Sequence, residues 1–377
     1  MSREPVSETK SVRVHFAAVD SVNRSRGALN RPQGRFENSI REAFDDGWTP
    51  EDEALAPAQT TVVEERARSI LSSNDSPDVP FDRSINPYRG CEHGCIYCYA
   101  RPSHAWLELS PGLDFETRLY AKINARELLA AELAKPGYRP SPIALGANTD
   151  AYQPVERRYR ITRGIVELLA ECEHPFTVVT KSALVERDLD LLAPMAGKNL
   201  VKVFVSIGTL DRSLARRLEP RAASPQRRLD TLRTLSAAGI PCGVMVAPVV
   251  PALSDKSVEE VLEAARGAGA SMAAYILMRL PHELKGLFRD WLASHYPLRA
   301  GHVMSVLQQL RGGRDNDPNF GARMSGTGTY AALLRQRFTI TCKRLGLNGK
   351  DHGGREVPDL DTSRFRPPAP QGQLRLF

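Results

Sequence analysis

The sequence predicts an α/β protein built as a βα barrel, and two patterns carry that prediction. From residue 85 onward, strand-length stretches rich in Val, Ile and Leu alternate with amphipathic helical stretches, roughly one pair per thirty residues. The strand-length stretches are nearly continuous in apolar residues, as parallel strands buried on both faces are. A chain of 377 residues has ample length for one large barrel with appended segments. Its 42% hydrophobic and 25% charged content is that of an ordinary soluble globular protein.

Taken in order, the strands fall at 143–147, 176–180, 200–207, 240–250 and 272–280. The helices fall at 117–134, 162–171, 185–195, 225–238 and 258–268. Two helix starts are well marked. Ser224 precedes Pro225, and Gly239 closes the same segment, an N-cap, first-turn proline and terminal glycine. Ser257 and Glu260 have the spacing of a capping box. Helices at 284–295 and 302–310 follow the barrel, then a polar loop at 312–321 and a basic helix at 329–345. Arg335, Arg337, Lys343 and Arg344 on that helix suit either phosphate contacts or a solvated face covering the barrel.

The chain therefore divides into an N-terminal extension (1–80, partly flexible), the barrel (81–282), a helical C-terminal segment (283–350) and a flexible tail (351–377). Within the extension, residues 21–36 hold Arg24, Arg26, Arg31 and Arg35 and read as a solvated arm. Arg26-Gly27-Ala28 and Gly34-Arg35-Phe36 give it more pattern than a plain linker. Residues 45–57 are acidic and Pro-containing, which suits a linker, and Thr60-Thr61-Val62-Val63 reads as a strand feeding the barrel.

Composition bounds the function classes. The first twenty residues are charged and lack the apolar core of a secretory signal. The longest apolar run, 240–253, is interrupted by four Gly or Pro residues and is too short to span a bilayer. Six cysteines without paired spacing point to a reducing cytosol. A net charge of +7 permits nucleic-acid binding without requiring it.

The chemistry centres on residues 86–99, where Cys91, Cys95 and Cys98 are spaced C-x3-C-x2-C. Gly90 and Gly94 let the backbone turn tightly enough for three sulfurs to face one point. Thiolates so placed suit zinc or an iron–sulfur cluster. Zinc would need His93 or His104 as a fourth ligand, because Cys172, Cys242 and Cys342 stand alone and read as core residues. A [4Fe–4S] cube would use three cysteines and leave one iron open beside Tyr97.

The run C-x3-C-x-Tyr-C resembles the signature of the radical S-adenosylmethionine (radical SAM) superfamily. That resemblance implies a partial (β/α)6 TIM-type barrel, its sixth strand lying before the cysteine loop. It also implies a [4Fe–4S] cluster on Cys91, Cys95 and Cys98, with SAM chelated at the open iron. Reductive cleavage of SAM then gives a 5′-deoxyadenosyl radical that abstracts a substrate hydrogen. An electron donor such as flavodoxin or ferredoxin is implied as well.

Functional residues of such barrels sit at the carboxyl ends of strands. There Thr149 and Asp150 offer acceptors for the ammonium of SAM, Lys181 a cation for its carboxylate, and Ser206 a hydroxyl for the ribose. With Tyr99 after the last cysteine, these strand ends resemble the spore photoproduct lyase branch, which includes DNA-repair photolyase-like proteins. Leu218-Glu219-Pro220-Arg221, Arg228-Leu229 and Ala238-Gly239-Ile240-Pro241 extend the likeness over roughly residues 80–280. Tyr97 and Tyr99 are candidates for radical relay or for packing against SAM. One departure stands out. The lyase's hydrogen-donor cysteine lies just before the pair that matches Thr149-Asp150, and here that stretch is Ala147-Asn148.

The C-terminus carries a separate resemblance. Behind a Pro/Gly-rich linker at 366–372, Gln373, Leu374, Leu376 and Phe377 form Gln-Leu-x-Leu-Phe, similar to the bacterial sliding-clamp-binding motif. The expectation is thus a cytoplasmic radical SAM enzyme acting on nucleic acid, with DNA repair favoured. Its rivals are a radical SAM modifier of RNA, a peptide or a small molecule, and a non-catalytic iron–sulfur protein docking on the clamp.

Overall fold

The computed structural model describes residues 26–37, 59–349 and 359–369. Six parallel strands lie side by side in chain order: β1 (Arg83–Ile85), β2 (Ile143–Leu145), β3 (Phe176–Thr180), β4 (Val201–Ser206), β5 (Cys242–Val249) and β6 (Met272–Leu277). A short strand, Leu71–Ser73, pairs antiparallel to β1 and makes a seventh. Among the described residues no pairing joins β6 back to β1, so the barrel is open there, as a six-unit barrel should be. Helices α1 (Ala125–Leu133), α2 (Ile161–Glu171), α3 (Leu189–Ala196), α4 (Pro225–Ala237) and α5 (Val258–Gly267) fill the connections.

The strands hold because their side chains are buried between these layers. Val178 pairs with Val203 and Val203 with Cys242, each fully or nearly fully buried. The Ser224 hydroxyl accepts from the Arg227 amide at the head of α4, and Gly239 takes the left-handed conformation (φ +73°) past its end. The capping box expected at Ser257 does not form. Residues Asp255–Ser257 make a turn of 3-10 helix, and the Ser257 side chain caps nothing at the start of α5.

The helix expected over 117–134 is replaced in its first part by a strand, Arg118–Lys122. Leu119 and Ala121 are buried while Arg118 faces solvent, a period of two that a helix cannot satisfy. This strand pairs with Thr61–Glu65 on one side and Tyr88–Arg89 on the other, so 61–65 joins a separate three-stranded sheet and does not enter the barrel.

After the barrel come α6 (Leu284–His295), α7 (Pro297–Gln309) and α8 (Gly328–Leu345). Phe288, Trp291 and Leu292 of α6 and Val303 of α7 share one apolar cluster with Cys95, Ile96 and Tyr97. The helical segment thereby supports the cysteine loop. On α8, Arg337 is paired with Glu259 and Arg344 with Glu263, both on α5. Two of the four basic residues read as suiting either phosphates or a solvated face over the barrel are therefore neutralised by α5. Part of the tail expected to be flexible is held as well: Phe365 packs on Tyr138 and His174, and the Arg366 amide donates to the Cys172 carbonyl.

Candidate active site

The cysteine loop leaves β1 and is fixed by hydrogen bonds to its own backbone. Gly90 (φ +76°) and Gly94 (φ +65°) take the left-handed conformation that its turns demand. Gln153 spans the loop, accepting from the Glu92 amide at 2.9 Å and donating to the Gly90 carbonyl at 3.1 Å. Behind the loop, the buried Arg101 guanidinium donates to the Cys95 carbonyl (2.9 Å), the Gly94 carbonyl (3.1 Å) and Glu116. Glu116, also fully buried, accepts from the amides of Gly27 (3.0 Å) and Ala28 (2.8 Å). Arg26, Gly27 and Ala28, read as part of a solvated arm, are thus buried beneath the cysteines. A Cβ on Gly27 would lie 1.8 Å from the Gly94 carbonyl oxygen, so only glycine fits there.

In front of the loop lies one cavity. Cys91, Cys95 and Cys98 line it together with Thr149, Asp150 and Lys181. Ser206, Tyr97, Tyr99 and His93 line it too, so the residues named from sequence for a cluster, for SAM and as tyrosine candidates all meet here. His104, the other zinc candidate, does not line it; its Nε2 bonds the Arg118 carbonyl behind the loop.

Asp150 is the organising anion. It accepts from the Thr180 hydroxyl and the Lys181 amide, both at 2.7 Å, and lies 3.3 Å from His93 Nδ1. Burial alone would raise its pKa, but His93 and these hydrogen bonds outweigh burial and hold the carboxyl below its usual range. Thr149 donates its hydroxyl proton to the Tyr88 carbonyl and keeps acceptor lone pairs. Lys181 stays charged: burial pulls it down, but Cys95 and Glu219 push it up by more. Its ammonium lies 5.8 Å from the centre of the Tyr97 ring.

Glu219 is a residue whose role the sequence reading did not assign. It is buried, paired with Arg228 and bonded by the Tyr97 hydroxyl, while Arg228 also donates to the Ser206 carbonyl at 2.8 Å. One buried ion pair therefore fixes both Tyr97 and the end of β4. The signal was present in Leu218-Glu219-Pro220-Arg221 and Arg228, though only as a likeness. Tyr99 is half-exposed and donates to the carbonyl of Ala147.

The donor set fits a cluster better than a single ion. Among the described residues, no three His, Cys, Asp or Glu side chains are placed to hold one metal ion. Zinc draws its thiolates in to about 2.3 Å, so three cysteines around one cavity suit a larger, multi-metal group. Burial and repulsion from neighbouring anions raise Cys91 well above a normal thiol, and burial pushes Cys95 up to about 12. Ionising them together calls for a cationic group among them.

Residues 85–265, just under half of the chain, match the model of the Radical SAM superfamily. The superfamily's cofactors are a [4Fe–4S] cluster and S-adenosylmethionine. Among relatives, the chain is 40% identical over 221 residues to the uncharacterized protein Rv2578c of Mycobacterium tuberculosis, covering 58% of this chain and 65% of that protein. It is 27% identical over 194 residues to the uncharacterized protein MJ0683 of Methanocaldococcus jannaschii, covering 52% and 70%. The match to the mycobacterial relative thus spans just under two thirds of its length. In fold, the chain is similar to spore photoproduct lyase complexed with dinucleoside spore photoproduct (TM-score 0.57, 18% identity, 82% of this chain and 87% of that one). A doubly substituted mutant of that lyase with bound AdoMet and dinucleoside spore photoproduct gives a TM-score of 0.54 at 18% identity and the same coverage. No helix among the described residues is long and apolar enough to cross a membrane.

Proposed function

We propose that this chain is a radical SAM enzyme whose substrate is nucleic acid. The observation that carries the reading is the convergence of three cysteines and four residues from three successive strand ends on one cavity. Cys91, Cys95 and Cys98 would hold the cluster. Thr149 and Asp150 would take the ammonium of SAM, Lys181 its carboxylate, and Ser206 its ribose. When bound, the cluster and SAM supply one-electron reductive cleavage of SAM and hydrogen-atom abstraction. The chain's own work is to bind, orient and exclude water. Asp150 is held ionised to meet a cation, and Lys181 is held protonated to meet an anion. Tyr97, locked to Glu219, forms a wall of the cavity, and Tyr99 stands at its mouth.

The fold likeness to a lyase solved with a dinucleoside spore photoproduct favours DNA, and the substrate reading rests on that likeness. Ala147 favours a different outcome of the reaction. Of the six cysteines, Cys172, Cys242 and Cys342 do not line the cavity, so no thiol beyond the three cluster ligands is placed there to return a hydrogen atom. A modifying reaction suits this site better than spore photoproduct reversal. Residues 373–377, outside the described residues, would tether the enzyme to a sliding clamp and raise its concentration at DNA.

Anaerobic reconstitution and reduction with SAM, assaying 5′-deoxyadenosine with and without UV-irradiated DNA, tests the reading. Cleavage that needs Cys91, Cys95 and Cys98 and rises with DNA supports it. Cleavage indifferent to DNA overturns the substrate class, and no cleavage by a protein that holds cluster and SAM overturns the enzyme.

A further inference from the structure

Arg279 follows β6 and lines the cavity, yet none of the roles assigned above uses it. Its neighbours are unusual for a half-buried arginine. Among the described residues it has no ion-pair partner, and its Nε is buried without a hydrogen bond. The contacts it does make are soft: Met324 Sδ at 3.5 Å from Nη1, and the Tyr99 ring at 5.9 Å from the guanidinium carbon. The carboxylate acting on it, Asp78, is already bonded to Arg323 and to the Gly321 amide (2.6 Å). A guanidinium kept from its own chain's carboxylates at the edge of a binding cavity is set to receive an anion from outside.

The adjoining loop extends this edge. Arg323, fixed to Asp78 and Ser76, lies over the Phe320 ring at 4.4 Å, and Phe320 is 56% exposed. Tyr99 is 49% exposed. Tyr99 and Arg279 line the cavity, and Arg323 and the exposed Phe320 belong to the segment that reaches Arg279 through Met324, so two aromatic rings and two guanidinium groups fall along one stretch of the chain's surface. Nearby Asp315 is taken up by Arg289 and Gln308, and Asp317 accepts from the Asn319 amide. Such a surface matches unpaired nucleotides, whose bases stack on aromatic rings while their phosphates meet arginine.

Building on the nucleic-acid reading above, we propose that this rim binds single-stranded DNA beside the reacting nucleotide, with Arg279 on a phosphate and Phe320 under a base. Double-stranded DNA offers no free base face to Phe320, so the rim favours a strand that is already open.

The test uses the full chain, loaded with cluster and SAM, and a fluorescein-labelled thymidine oligonucleotide followed by anisotropy across a salt series. Phe320→Ala is expected to weaken binding roughly tenfold without changing its salt dependence. Arg279→Gln is expected to weaken binding and to flatten the slope of log affinity against log salt by about 0.7, the share of one single-strand phosphate. Arg279→Lys should restore that slope. Unfolding midpoints of the variants, compared with wild type, separate lost contacts from lost structure. If wild type binds the oligonucleotide and all three variants bind equally well, the rim is wrong and the nucleic-acid reading stands. If wild type binds neither this oligonucleotide nor its duplex, the reading itself falls and the rim with it.

Discussion

The cysteine loop has two faces, and they are built on opposite principles. Its back face satisfies itself: Arg101 and Gln153 hold the Cys95, Gly94 and Gly90 carbonyls and the Glu92 amide, Glu116 holds Arg101 and the Gly27 and Ala28 amides, and all five residues are buried. Its front face withholds satisfaction, with three thiols, an ammonium and a guanidinium turned to a cavity. The back is where the chain spends its internal hydrogen bonds, and the front is where it leaves valence for something else. Changes behind the loop should therefore cost stability, whereas changes in front should cost binding.

The largest expected effect is behind. Glu116→Ala strands Arg101 and two amides in the interior, which costs about 3–5 kcal/mol. Denaturant unfolding measures it, and a loss below about 1 kcal/mol would show that the clamp is not what holds the loop. Gly27→Ala comes next. Its Cβ would press on the Gly94 carbonyl, backbone against backbone, at a cost of about 1–3 kcal/mol. Gly286→Ala in α6 has open space around it and should instead stabilise by about 0.5–1 kcal/mol. Equal effects at the two glycines would mean that the Gly27–Gly94 approach is relaxed.

A third effect is smaller for each step and depends on pH. His104 donates from Nε2 to the Arg118 carbonyl and is neutral, since burial pushes its pKa down to about 4. The unfolded chain takes up a proton near 6.5 that the folded chain refuses until about 4. His104 therefore contributes fully above pH 6.5 and loses its contribution as pH falls through that window, at about 1.4 kcal/mol per pH unit. In His104→Gln the slope of unfolding free energy against pH should drop by that amount between 6.5 and 4. An unchanged slope would mean that the ring is protonated in the folded state.

The same contrast explains which parts were readable in the sequence. The front face was, because its signals are local. The three cysteines fall within eight residues, and Thr149, Lys181 and Ser206 each end or follow a strand of plain apolar composition; the bounds of β3 match the expectation residue for residue. The back face was not, because its partners are distant in the chain. Gly27 and Ala28 meet Glu116 across nearly ninety residues, and a run of arginine and glycine read alone suggests solvent. The strand Arg118–Lys122 was hidden likewise, since its partner Thr61–Glu65 lies more than fifty residues back and its five residues merged with the helix that follows. On α8, the pairing of Arg337 and Arg344 could not be read because Glu259 and Glu263 stand about eighty residues away.

Lys181 gives the sharpest test of the division, because it is charged, enclosed and on the front. Its ammonium is drawn toward Cys95, Glu219 and Asp150, so a purely structural lysine would be costly to remove. Yet Glu219 keeps Arg228 and the Tyr97 hydroxyl when Lys181 is gone, and Asp150 keeps Thr180 and the residue-181 amide. Enclosing an ammonium also carries a desolvation cost that a methionine avoids. Lys181→Met should thus change unfolding free energy by about 1 kcal/mol or less, in either direction. Calorimetric titration of SAM into the cluster-loaded protein should show a loss of about 2–5 kcal/mol, because a bound carboxylate would face the cavity without its cation. A stability loss as large as that of Glu116→Ala would move Lys181 to the structural face. Unchanged SAM affinity would instead release Lys181 from the carboxylate and leave the Lys181 ammonium available to the substrate.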